Sequence, residues 1–340
     1  MKELFIIFND AHIKNGNEDQ VYRSCVHLVK YASDNEIKDV VFAGDMFDSR
    51  SQQRLKQLFT LHKILKLFKD YGLTLHLFAG NHDKTLYTDY ESFLDIFQFH
   101  PNVEFYDRLT SIKIKGVGVD FLPFFDDSML VPMLKEAEGN DILVSHFEMY
   151  GSSNMGNVSK KESITKETLS KWKKTFLGHY HDTHDITKDI THLPSLRQNY
   201  YKEDSNKGFS VVYEDLSYEI IKGDFVEFKT IPLHLDSMSK DDVLEAIKAN
   251  KKEDLKIRFE LLGEESVLRS FSTSVFTDNG VDFIKKFEKI YDKDVDTEKP
   301  KVVEKYTKET VLNSFEEFCT KKNLNINEGL EILTKFLNNK

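Results

Sequence analysis

Five times between Leu4 and His181 an apolar run of strand length stops at a short polar cluster of Asp, His or Asn. The runs are Leu4–Phe8, Val40–Ala43, Leu75–Ala79, Ile142–Val144 and Thr175–Leu177. The clusters are Asp10-Ala11-His12, Gly44-Asp45-Met46-Phe47-Asp48, Gly80-Asn81-His82-Asp83, Ser145-His146 and Gly178-His179-Tyr180-His181. Runs that are apolar throughout, without polar alternation, read as parallel strands buried on both faces. Loops at the carboxyl ends of such strands converge on one point although they are distant in sequence. Carboxylate, imidazole and amide oxygen are the donors that two divalent cations ~3.5–4 Å apart require, with one carboxylate shared between them. Any one cluster could arise by chance; the ordered set, with glycine where the backbone must turn sharply, points to one metal site.

The rest of the chain must accommodate that site. At 340 residues there is room for two domains, or one large domain with appendages. With 40% hydrophobic residues, and 31% charged residues of both signs, the chain is globular, not a disordered tail. No apolar stretch approaches the ~20 residues that span a bilayer, and Met1-Lys2-Glu3 leads directly into a strand, so a soluble, cytoplasmic protein is expected. Cys25 and Cys319 lack metal spacing and suggest no disulfide framework; Cys25 lies on the stripe Val21, Cys25, Leu28, Val29, Ala32 and reads as core. The formal net charge of −10 argues against a generally basic surface. The local run Lys160, Lys161, Lys166, Lys171, Lys173, Lys174 reads equally well as a phosphate-contacting patch or as a solvated face shared with Glu162 and Glu167.

The pattern over 1–231 is α/β: a two-sheet β-sandwich flanked by helices. Helices are expected at Asp19–Asn35 and at Gln52–Tyr71, the second with a stripe Leu55, Leu58, Phe59, His62, Leu65 that makes His62 a packing residue. A helix is expected at Tyr90–Phe99, then short strands near Val103–Tyr106, Ser111–Lys115 and Val119–Leu122. Thr191–Leu193, Phe209–Tyr213 and Phe225–Ile231 read as closing strands of a second sheet. Residues 232–295 read as a small α+β domain: helix Lys240–Ala249, strand Leu255–Leu261, helix Glu265–Arg269, strand Ser272–Thr277 and helix Val281–Tyr291. Residues 300–340 give a pair of amphipathic helices, Lys308–Lys321 and Asn327–Leu337, too short to be stable alone.

The five clusters resemble the motifs of the calcineurin-like metallophosphoesterase superfamily. The resemblance implies Asp10, His12 and His181 on one metal ion, Asn81, His146 and His179 on the other, and Asp45 bridging. It implies that His82 stabilises the phosphorane charge or protonates the leaving oxygen, that Asp48 orients a ligand, and that Asp83 helps place His82. The donor set suits Mn²⁺, with Fe, Zn and Co as alternatives. Within the superfamily the chain resembles SbcD-type nuclease subunits of bacteria and phages over nearly its whole length. Ser195, Tyr201, Glu203 and Lys207-Gly208-Phe209 match the serine, aromatic, acidic and Lys-Gly elements after the last motif. Ala11 and Pro194 depart from that pattern, where a large aromatic and a glycine are usual. The resemblance implies DNA as substrate, a DNA-capping role for 232–295, and docking of 300–340 on the coiled-coil base of an SbcC-type ABC ATPase. It also suggests a homodimer through Phe93, Leu94, Phe97 and Phe99. Two other readings stand beside it: a small-molecule or cyclic-nucleotide phosphodiesterase or phosphatase, and a non-catalytic scaffold.

Overall fold

Leu4 to Phe8 are all buried, yet alternate residues serve different cores. Strand β1 (Glu3–Phe8) turns Ile6 and Phe8 to a helical layer and Phe5 and Ile7 to a second sheet. Side chains with period two can all be apolar only where both faces of the sheet are covered. β2 (Asp39–Ala43) repeats the division, Val40 and Phe42 one way and Val41 and Ala43 the other. Helices α1 (Glu18–Asp34) and α2 (Leu55–Asp70) cover the first face, with Val21, Cys25 and Leu28 from one and Leu61, Ile64, Leu65 and Phe68 from the other. These residues recur at helical spacing, which makes one continuous apolar stripe on each helix.

The computed structural model describes residues 2–154 and 157–286 and, beyond them, Phe315. β3 (Thr74–Phe78) and β4 (Val103–Tyr106) extend the first sheet in parallel. The second sheet is built from β5 (Thr110–Ile114), β6 (Val117–Leu122), β7 (Ile142–Ser145), β10 (Lys174–Leu177), β11 (His184–Thr187) and β12 (Ile190–His192), in the order β11-β12-β10-β7-β6-β5. α3 (Asp127–Glu136), a ribbon of β8 (Ser153–Asn154) and β9 (Asn157–Val158), and α4 (Lys166–Leu169) lie between these strands in sequence. Leu130, Leu134, Leu169 and Trp172 form a core with Leu143 and Leu177 of this sheet, whose Ile142, Val144 and Phe176 belong to the core between the sheets. β13 (Gly208–Tyr213) and β14 (Tyr218–Lys222) return to the first sheet, which reads β14-β13-β1-β2-β3-β4, with β13 antiparallel to β1. The architecture is an α/β two-sheet sandwich with flanking helices, as the sequence suggests. No helix among the described residues is long and apolar enough to cross a membrane.

Several elements differ from expectation. Phe209–Tyr213 belongs to the first sheet rather than the second, because β13 is buried on both faces and needs the interior place beside β1. The strand expected at Phe225–Ile231 forms, but as β15 (Glu227–His234) of a separate parallel sheet with β16 (Leu255–Leu262) and β17 (Asp282–Lys285). Its sheet packs with α5 (Lys240–Asn250), α6 (Glu265–Ser270) and α7 (Ser274–Thr277) around Phe259, Leu261, Leu268 and Phe276. The last two assignments are exchanged: Ser272–Thr277 contains helix α7, since the adjacent Val275 and Phe276 are both buried, and the expected helix at Val281–Tyr291 begins instead with strand β17. There Phe283 and Lys285 alternate with exposed Asp282 and Ile284, a period of two, not 3.6.

Tyr90–Phe99 holds only a single 3-10 turn at Asp95–Phe97. The Asp95 carboxylate accepts from the backbone and hydroxyl of Ser92, and the Phe93 N–H is tied to the Asp83 carbonyl at 2.8 Å. On α2 the stripe of Leu55, Phe59 and His62 is exposed, because the competing stripe from Leu61 to Phe68 faces the sheet. Cys25 is buried, as expected, and burial pushes its thiol up to about 12. The terminal helix pair, the end of the helix expected at Val281–Tyr291 and Cys319 lie outside the described residues.

Candidate metal centre

The polar clusters extend the carboxyl ends of β1, β2 and β3 in one sheet and of β7 and β10 in the other. Backbone hydrogen bonds lace these ends together: Asp10 N donates to Gly44 O (2.9 Å), His12 N to Asp45 O (3.1 Å) and Ser195 N to His181 O (3.0 Å). Asp10, His12, Asp45 and His179 hold positive φ angles of 50°, 45°, 62° and 85°. Such backbone costs roughly 1–3 kcal/mol per residue and persists where neighbours enforce it. Two glycines permit the close approach. A Cβ on Gly44, whose φ is +89°, would lie 2.5 Å from His146 Nδ1, and one on Gly80 would lie 2.2 Å from Asp45 Oδ1.

The side chains meet in two groups. In the first, His12 Nε2 and His181 Nε2 are 3.1 Å apart, and each is within 3.7 Å of Asp10 Oδ1. His181 Nδ1 pairs with Glu203 Oε1 at 2.5 Å, which directs the Nε2 lone pair toward His12. Burial disfavours charge on His181, but Glu203 and Asp10 outweigh it and raise its pKa. In the second group, Asn81 Oδ1 lies 3.1 Å from His146 Nε2 and 2.9 Å from His179 Nδ1. His146 Nδ1 donates to Ala43 O at 2.7 Å, so in the neutral ring its Nε2 carries the lone pair. Asp45 stands between the groups, its Oδ2 3.3 Å from His146 Nε2 and 3.7 Å from His12 Nε2.

The electrostatics call for positive charge. Burial should lower the pKa of His146, yet Asp45 and Asp10 raise it to about 9. Burial should raise Asp10 and Asp45, yet His146 above all holds both well below the usual carboxylate range. Asp10 Oδ1 and His12 Nδ1 are buried without a hydrogen-bond partner among the described residues. Left unpaired, such atoms cost ~1–3 kcal/mol each. Facing lone pairs, buried carboxylates and orphaned donor atoms fit divalent cations, and Asp10–His12–His181 and Asp10–Asp45–His146 are candidate groups for holding them.

His82 also comes within ligand range of His12 and Asp45, but its nitrogens have other partners. Nδ1 is 2.6 Å from the Asp48 carbonyl and Nε2 is 3.0 Å from an Arg50 nitrogen. Burial, more than any other cause, lowers its pKa. The Asp48 carboxylate is 3.7 Å from His12 Nδ1 and 3.2 Å from Lys14 Nζ. Asp83 does not contact the His82 ring. Its carboxylate accepts from the backbone N–H groups of Asp45, Met46, Phe47 and Gly80, which fixes the turn carrying Asp45. Burial, then the nearby Asp45, pushes Asp83 up to about 7.

Several supporting residues carry no signal in the motifs themselves. Asn9 donates to the Asp10 carboxylate and Asn199 to the Asp10 carbonyl. Glu203 was visible as an acidic position, but its contact with His181 was not. Glu203→Gln is expected to weaken metal binding roughly 10–100-fold, the usual cost of losing such a partner, with the fold intact; titration calorimetry measures it. The lysine run at 160–174 is largely committed elsewhere. Lys161 and Lys173 pair with Asp127 and Asp141, each at 2.7 Å, Lys171 Nζ donates to three backbone carbonyls, and Lys174 is buried.

The chain is similar to known proteins. The calcineurin-like phosphoesterase profile matches residues 4–284. The chain is 25% identical over 161 residues to "Exonuclease subunit 1" of Enterobacteria phage T4, covering 45% of this chain and 46% of that protein. It thus spans about half the length of that curated relative. One solved structure superimposes with a TM-score of 0.40 at 10% identity, over 65% of this chain and 98% of its own. With a family match across most of its length and two facing groups of Asp, His and Asn at its strand ends, the chain belongs to the calcineurin-like phosphoesterase family.

Proposed function

We propose that the chain is a Mn²⁺-dependent DNA nuclease subunit of the SbcCD type. Asp10, His12 and His181 would hold one ion, Asn81, His146 and His179 the other, and Asp45 would be shared. Bound there, two such ions would supply Lewis-acid polarisation of the phosphate and a nucleophile from water near neutral pH. The protein's part is to fix these donors, to keep their lone pairs inward through Glu203 and the Ala43 carbonyl, and to hold the substrate strand.

The observation that favours a nucleic acid over a small ester is a groove of about 550 Å³ beside the centre, lined by Lys14, Tyr200, Tyr201, Phe228, Lys256 and Arg258. The Tyr200 ring lies parallel to His181 with centroids 5.8 Å apart, and Lys14 Nζ is 5.2 Å from the centre of that ring. At the far end the Arg258 guanidinium sits 4.5 Å over Tyr201, whose hydroxyl donates to Asp282 of β17. Cations for phosphates interleaved with aromatic faces for bases are what a single strand needs. They form a local basic strip on a chain of net charge −10. The name of the phage relative, an exonuclease subunit, points the same way.

Digestion of end-labelled duplex and single-stranded oligonucleotides by the purified chain, with Mn²⁺ and without ATP, tests the reading. DNA should be cut and a chelator should stop it. Hydrolysis of p-nitrophenyl phosphate alone would favour a phosphatase, and no hydrolysis of either a scaffold.

The finer organisation belongs to the same proposal: a nuclease domain over 1–231, a capping domain over 232–295, and a terminal helix pair over 300–340 that docks on an SbcC-type ATPase. Co-purification with such an ATPase, lost on deleting 300–340, is the check. A homodimer is supported by exposed Leu55 (69%), Phe59 (54%), Ile96 (66%) and Phe99 (88%). The His62 and His100 rings, 6.1 Å apart, bring the two segments together. Leu94 is buried, and Phe93 and Phe97 pack on the core, so of the four residues named from sequence only Phe99 offers a free face. Light scattering that finds a monomer at micromolar concentration would remove the dimer.

A further inference from the structure

The groove beside the centre has in its wall a buried cation that no motif includes. Arg197 is only 2% exposed, yet it lines that groove. One terminal nitrogen, Nη1, donates to the Gln198 carbonyl at 2.8 Å. Nε and Nη2 are buried with no hydrogen-bond partner among the described residues. These two atoms form one edge of the guanidinium, the edge whose parallel N–H bonds match two oxygens of a single anion.

The arginine has no counter-charge of its own. Burial lowers its pKa, against Glu203 and Asp48, only to about 10, so it stays charged at neutral pH. Both carboxylates are engaged elsewhere: Glu203 with His181 Nδ1 and the Asn199 N–H, Asp48 with Lys14. A buried charge left unpaired is costly and calls for an anion from outside the chain. The groove repeats the pattern. Lys14, Arg197, Lys202, Lys256 and Arg258 line it with no carboxylate among the described residues, and Arg258 Nε is a second buried donor without an acceptor among them. The segment that carries Arg197 is also fixed. Leu196 N–H donates to Asn9 O at 3.0 Å, Ser195 Oγ to the Arg197 carbonyl at 2.8 Å, and Asn199 to the Asp10 carbonyl at 3.1 Å. One stretch of backbone therefore braces both this anion site and the first group of metal donors.

We propose that Arg197 seats the terminal phosphomonoester of a DNA strand, so that the groove reads the chemistry of a strand end beside the metal groups. This rests on the nuclease reading and adds a specificity to it. Two observations favour an end over an internal phosphate. A side chain 2% exposed leaves a narrow approach, which a terminal group can enter and a phosphate with chain on both sides cannot. A monoester carries about −1.5 to −2 near neutral pH against about −1 for a diester, and five cations without a lining carboxylate suit the higher charge. The groove volume, about 550 Å³, is that of a small-ligand pocket. Tyr200 and Tyr201, which also line it, offer faces to the terminal base.

The test uses the full chain and one oligonucleotide sequence carrying a 5′-phosphate, a 3′-phosphate or hydroxyls at both ends. Fluorescence anisotropy with a chelator present reads binding, and digestion with Mn²⁺ reads KM. The wild type should bind one phosphorylated form on the order of 10-fold more tightly than the hydroxyl form, with a matching ratio in KM. Whichever end is preferred identifies the source of the phosphate. In Arg197→Gln the ratio should fall to near one, and in Arg197→Lys, which keeps the charge without the fork, to an intermediate value. Where thermal melts show that a variant does not fold, nitrogen-15 NMR of the wild type takes its place: the Arg197 Nε resonance should move with the phosphorylated strand and not with the hydroxyl strand. Equal binding of all three forms by the wild type, an end preference that survives Arg197→Gln, or an unmoved Arg197 Nε resonance would each overturn the proposal. An end preference in binding with no cutting of any form would instead remove the nuclease reading beneath it.

Discussion

Asp45→Ala is expected to bring phosphodiester hydrolysis down to the level of metal-free protein, a loss on the order of 10³-fold or more. Asp45 faces both groups, 3.3 Å from His146 Nε2 and 3.7 Å from His12 Nε2. Removing a carboxylate shared by two cations withdraws several kcal/mol of charge stabilisation, and each 1.36 kcal/mol is tenfold in rate. Asp45 is buried, pairs with His146 and accepts from the His82 N–H, so the variant's fold is checked beside its activity. Thermal melts separate loss of the fold from loss of the metal. Metal at ~100 times its Kd should stabilise the wild type by ~2.7 kcal/mol through mass action, and the variant by much less. Wild-type activity in the variant would overturn the assignment of Asp45.

His82→Asn should keep the metals and lose the rate, by a factor on the order of 10²–10⁴. The side chain lies near enough to His12 and Asp45 to be mistaken for a ligand, but both its nitrogens are engaged elsewhere, with the Asp48 carbonyl and with Arg50. Metal analysis and steady-state kinetics on the same sample decide the point. If metal content falls in step with activity, His82 belongs to the coordination shell.

The strands and the order of the clusters were legible because parallel strands buried on both faces leave uninterrupted apolar runs, and because each run ends where the chain must turn. Val40–Ala43 and Leu75–Ala79 could hardly be anything else. Where burial was one-sided and the segment short, pattern failed: Val281 and Phe283 fit a helix until β16 supplied an edge to pair with. Phe225–Ile231 looked like a sandwich strand because nothing local records which sheet a strand will join. α2 carries apolar residues on two faces, so sequence alone could not tell which of Leu55–Phe59 and Leu61–Phe68 would be covered.

At the site, the candidate donors were readable from their spacing, but the groups that aim them were not. Glu203 lies 22 positions from His181, Asn199 lies 189 positions from Asp10, and only the fold brings these pairs together. Asp83 shows the limit of adjacency. Next to His82 in sequence, it turns inward to the backbone of the Asp45 turn instead.

Anomalous diffraction from crystals grown with Mn²⁺ tests the central claim most directly. Two peaks ~3.5–4 Å apart are expected, one among Asp10, His12 and His181, one among Asn81, His146 and His179, with the Asp45 carboxylate between them. A single peak, or a pair that leaves Asp45 uncoordinated, would contradict the two-metal centre on which the proposed chemistry depends.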